Sequence, residues 1–128
     1  MEYYFSKTLN VSYDEAVKLT NEALKNEGFG VITEINMHEK LKEKLGVDFK
    51  RYKILGACNP PYAHKALQAE DKIGTMMPCN VLVIEQGQNK IEIAAVNPIA
   101  SMQAITNPSL GNIALEVTNK LKKVIDNL

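Results

Sequence analysis

Cys58, His64 and Cys79 are the side chains whose chemistry reaches furthest in this chain. They fall in its densest stretch, Gly56-Ala57-Cys58-Asn59-Pro60-Pro61-Tyr62-Ala63-His64, continued by Met77-Pro78-Cys79-Asn80. A thiolate is a nucleophile and a soft metal ligand, and an imidazole titrating near neutrality carries protons or binds metal. Cys58, His64 and Cys79 are therefore the candidate metal ligands, for a divalent ion such as zinc. Their spacing is not that of a known zinc motif, which takes two close ligand pairs. Glu34, Asn59 and Asn80 are the candidate ligand-binding residues: the two asparagines flank the cysteines, and Glu34 lies in an otherwise apolar segment. No residue is assigned a catalytic role.

Each of these residues also has a plain structural reading. Free cysteines usually behave as small buried hydrophobes. His64 suits the surface of a helix, Glu34 suits pairing with a lysine or a backbone cap, and His38 heads a solvated helix. A disulfide between Cys58 and Cys79 is the third alternative for the thiols. If Cys58 precedes a helix, the positive end of that helix favours its thiolate.

The elements that must position these residues can be read from periodicity. Tyr3 to Leu9 alternates as a strand. Ser12 and Glu15 form a capping box before a helix carrying Tyr13, Ala16, Val17, Ala23 and Leu24, and Gly28 closes it. Val31 to Ile35 reads as a strand with Val31, Thr33 and Ile35 on one face and Ile32 and Glu34 on the other. A short helix over His38 to Leu45 ends at Gly46. Phe49 to Cys58 is the next strand, and Asn59-Pro60 opens a helix with Asn59 as its cap. Cys79 to Gln86 and Lys90 to Asn97 form a hairpin about Gly87-Gln88-Asn89. Asn97-Pro98 and Asn107-Pro108 repeat the helix-opening signature. The last helix carries Leu110, Ile113, Ala114, Val117, Leu121, Val124, Ile125 and Leu128 at helical spacing.

This order predicts an α+β fold, a mostly antiparallel sheet with helices packed on one face. If the third and fourth strands are antiparallel neighbours, Cys58 and Cys79 converge.

Composition bounds the rest. With 128 residues the chain is a single α+β domain over 1–128. It is 45% hydrophobic and 23% charged, with 15 basic and 15 acidic residues, which is ordinary globular usage. Zero formal charge argues against a broad nucleic-acid footprint. No apolar run approaches the roughly 20 residues of a membrane helix, and Met1 to Phe5 does not read as a signal peptide. No nucleic-acid or membrane partner is therefore expected. Without an export signal, the cysteines are expected to be reduced thiols. No Walker, dinucleotide or Gly-x-Ser-x-Gly signature is present. The Asn-Pro helix starts are only weak candidates for anion binding.

With these residues in view, the chain resembles a known family. The carriers are Gly28-Phe29-Gly30-Val31-Ile32-Thr33-Glu34-Ile35, Leu41 to Phe49, Tyr52 to Pro60, Ala63-His64, Pro78-Cys79-Asn80 and Asn107-Pro108. Together they are similar to the domain-of-unknown-function family number 302. The resemblance implies a small prokaryotic cytoplasmic protein that forms a homodimer. It implies a fold similar to the TATA-binding-protein half, strand, helix, four strands, helix. It also implies that Glu34, Cys58, Asn59, Pro60, His64, Pro78, Cys79 and Asn80 are shared, and it implies no activity.

Three functions follow as expectations. The first is a domain binding a small ligand or metal at a Cys/His/Glu cluster. The second is an interaction module without an active site, its sheet pairing with that of a second copy. The third is a cysteine-dependent redox protein or enzyme, with Cys58 as nucleophile and His64 as base.

Overall fold

A computed structural model describes residues 2–128. Five strands form one sheet: β1 (Tyr4–Leu9), β2 (Gly30–Asn36), β3 (Tyr52–Cys58), β4 (Cys79–Gly87) and β5 (Lys90–Val96). Their spatial order is β1-β5-β4-β3-β2 and every pairing is antiparallel. The helices are α1 (Tyr13–Asn26), α2 (Met37–Leu45), α3 (Pro60–Ala69), the one-turn α4 (Pro98–Ser101) and α5 (Gly111–Asp126). Short 3₁₀ turns, Asp71–Met76 and Pro108–Leu110, lead into β4 and α5. The α+β class and the one-sided packing of helices are as expected. Setting the short helices aside, the chain runs strand, helix, four strands, helix.

Alternation along the strands explains the layering. Leu55, Ala57, Val81, Val83, Ile91, Ile93 and Ala95 project from one face and are fully buried against α1 and α5. From the helices, Ala16, Leu24, Leu121 and Val124 complete this core with essentially no exposure. Each large side chain so buried contributes roughly 1.5–3 kcal/mol over its exposed state. A second, smaller cluster of Ala66, Ile73 and Leu110 holds α3 against the turn before α5. The opposite face of the sheet carries no helix.

Local signals behave as their chemistry dictates, with instructive departures. The Ser12 hydroxyl accepts the Glu15 N–H at 3.1 Å, and Gly28 (φ +85°) and Gly46 (φ +68°) adopt the left-handed conformation that follows a helix. Two of the three Asn-Pro sites cap as expected: Asn97 Oδ1 accepts from Ile99 N–H at 3.2 Å, and Asn107 Oδ1 from Ser109 N–H at 3.0 Å. Asn59 does not cap its helix. The residue two positions on, Pro61, has no N–H to give, so Asn59 turns back and donates to Glu27 O at 3.1 Å. It thereby closes the end of α1 rather than opening α3.

The faces of β2 also differ from strict alternation. Val31 pairs with Ala57, but Thr33 pairs with Gly56, which leaves Ile32 as an extra residue in a bulge. Ile32 is 62% exposed. Beyond the bulge the parity inverts, so Glu34 joins Val31 on the helix side and Thr33 joins Ile35 on the open side. The strand containing Cys58 begins at Tyr52 rather than Phe49.

Candidate functional site

The hydrogen-bond register brings the chemistry together. Ala57 pairs with Cys79 across β3 and β4, so the last residue of β3, Cys58, stands beside the first residue of β4. Gly56 makes this approach possible. A Cβ there would run into the Thr33 side chain and lie 2.7 Å from Pro78 Cγ. The Met77–Pro78 peptide is cis.

Cys58 and Cys79 line one cavity of about 50 Å³. Tyr62, Ala63 and Ala66 of α3 form one wall, and Ile113, Ala114 and Val117 of α5 another. Met77 and Met102 bring two thioether side chains to the same space, and Asn59 is the polar residue at its edge. A water needs roughly 10–15 Å³ of such space, so the cavity takes roughly three or four non-hydrogen atoms. It suits a small apolar group or a single ion rather than a whole metabolite.

Both cysteines are free thiols and partly buried. Burial pushes the Cys79 thiol up to about 11, and negative charge on Cys58 adds to the rise. Cys79 is therefore protonated at neutral pH. The first two positions of α3 are Pro60 and Pro61, so this helix start offers no N–H from either residue to an anion.

The remaining candidates stand elsewhere. His64 is exposed and does not line the cavity. With Tyr62, Ala63 and Ala66 facing inward, a step of 100° per residue puts His64 about 150° round the helix from their centre. Glu34 is exposed on β2 and pairs with Lys53 Nζ at 2.6 Å, the lysine pairing foreseen as its structural reading. Asn80 is exposed on the uncovered face of the sheet, opposite in register to Gly56. The six candidates thus divide: Cys58, Cys79 and Asn59 share the cavity, and His64, Glu34 and Asn80 do not. Among the described residues, no group of three or more His, Cys, Asp or Glu side chains is placed to hold a metal ion.

Sequence reasoning missed the α5 wall and the methionines of this site. The only signal for the methionines was the adjacency Met77-Pro78-Cys79. His38, read as a surface residue, is structural: its Nδ1 accepts the Tyr52 N–H at 2.9 Å and holds α2 to the start of β3.

The uncovered face forms a second concavity of about 420 Å³, lined by Tyr3, Tyr4, Tyr52, Asn80, Leu82, Ile84, Glu92, Ala94 and Val96 among others. Ile84 and Ala94 are only 8% and 7% exposed although no helix covers them, whereas Tyr3 at the rim is 70% exposed.

Among the described residues, no helix is long and apolar enough to cross a membrane. The family model for the domain of unknown function DUF302 matches residues 5–128. Among solved structures, the crystal structure of the uncharacterized conserved protein DUF302 from Bacillus stearothermophilus is similar at a TM-score of 0.89. It is 28% identical, with 98% of each chain covered. No protein with a curated description matches the chain.

Proposed function

The chain belongs to the DUF302 family, and within that family we propose that it is a small-ligand-binding domain whose site is the cavity carrying Cys58 and Cys79. One observation carries the reading: two free thiols from different strands line one small, almost wholly apolar space. Asn59 orders the rim, because its side chain is tied to Glu27 O. Glu34, His64 and Asn80 are left out of the binding set, since they stand away from that space. The ligand presents an apolar end of three or four non-hydrogen atoms to the cavity, or an ion of matching softness. Two unbridged thiols are in keeping with a reducing compartment such as the cytoplasm.

The test uses 1-butanol as a minimal apolar probe on isotope-labelled protein. Saturable amide shifts confined to Cys58, Ala63, Cys79 and Val117 support the reading, as does their loss in Ala63→Leu, which fills the space. Absent or scattered shifts, or an unchanged response in the filled variant, overturn it.

A second reading is favoured by the uncovered sheet face. Its centre is buried although no helix covers it, and Leu82, Ile84, Ala94 and Val96 supply apolar lining. On this reading a second copy of the chain covers that face, and the protein is a homodimer. The two readings are compatible, because the cavity lies on the helix side of the same sheet.

A further inference from the structure

We propose that the cavity is a site for a soft monovalent metal ion, Cu(I), held by the Cys58 and Cys79 sulfurs with a thioether of Met77 or Met102 as the additional ligand. The inference rests on the ligand-binding reading of this cavity and names the occupant.

The donor set decides the metal. Two thiol-bearing and two thioether-bearing side chains line a single cavity of about 50 Å³. No Asp, Glu or His is among its lining residues. Zinc in a structural site takes four N, S or O ligands, and among the described residues no third His, Cys, Asp or Glu joins the two cysteines. Cu(I) is selected by soft thiolate and thioether donors and is satisfied by two or three of them. The volume admits one ion between the lining residues. The expected divalent site with His64 is thus replaced by a monovalent one without it.

Binding is a proton exchange without electron transfer. The S–H bonds of Cys58 and Cys79 break, two S–Cu bonds form, and two protons pass to solvent while copper stays at +1. The apolar lining of the cavity disfavours a bare pair of thiolates there. The cation offsets one of the two negative charges.

The experiment titrates the reduced, intact protein with Cu(I) under anaerobic conditions against a sulfonated, coloured Cu(I) chelator, with Zn(II) alone as a parallel probe. One Cu(I) per chain is expected to leave the chelator, and Zn(II) is not expected to bind. Cys58→Ser and Cys79→Ser each weaken binding about 100-fold or more, and the double variant Met77→Leu/Met102→Leu about tenfold. Because protons compete with the metal for the sulfurs, affinity falls as the pH is lowered from 7 to 6. Circular dichroism of each variant separates lost ligands from lost folding, and Cys58→Ala or Cys79→Ala replaces any serine variant that unfolds.

No transfer of Cu(I), retention by the cysteine variants, or an affinity independent of pH overturns the two-thiol site. An unaffected methionine double variant overturns the thioether ligand. If butanol still produces cavity shifts while Cu(I) fails, only the copper inference falls. If both probes fail, the ligand-binding reading falls with it.

Discussion

Cys79 carries the sharpest consequence of burial. Its thiol is raised from 9.0 to about 11, so the folded state favours the neutral form. A group held protonated in this way binds more protons folded than unfolded once the pH passes its unfolded value. Stability is therefore fully present below about pH 9 and falls as pH rises toward 11. The loss by pH 11 amounts to about 2 kcal/mol. Urea unfolding at pH 8 and at pH 10.5 measures it. Cys79→Ala should show a smaller fall than the parent, because Tyr13, also raised, to about 12, titrates in both proteins. An equal fall in both would mean that Cys79 does not carry the effect. Gly56 acts at the same scale: it leaves room for Pro78 and Thr33, and so sets how closely β4 starts beside β3.

Among the elements, the asparagines matter more as ties than as caps. Asn107 accepts from Ser109 N–H and donates to Ala69 O at 2.9 Å and Glu70 Oε1 at 3.1 Å. It joins the end of α3 to the approach of α5, the two helices that wall the cavity. Asn107→Ala should cost about 1–2 kcal/mol, read as a lowered denaturant midpoint with unchanged slope. A loss near zero would show that water replaces these bonds. The bulge at Ile32 is the other device at this scale. One inserted residue moves Glu34 to the helix side, where Lys53 meets it, and explains why its apolar neighbours in sequence do not surround it.

At the level of the whole molecule, the sheet has one side covered by helices and one side bare. A bare apolar face with a concave, buried centre is the surface on which a second copy would sit. Light scattering should give twice the 14.2 kDa chain mass, and Leu82→Lys should halve it without lowering the helix content. A monomeric parent protein would remove the dimer reading and leave the cavity reading untouched.

The sequence by itself determined the periodic parts: the helix stripes, the alternating strands, the hairpin and hence the α+β class. These depend on neighbours three or four positions apart in a helix, or two apart in a strand. It also determined that Cys58 and Cys79 lie at strand ends. Only the tertiary structure decided which candidates meet. His64 follows Cys58 by six residues, yet helical rotation carries it away. Val117 is 59 positions along the chain, yet α5 returns it to the cavity. Asn59, offered no N–H by Pro61, donates instead to Glu27 O because the end of α1 arrives within reach. Such outcomes depend on sheet register and on how helices dock, and pairings across the fold leave no mark in local spacing.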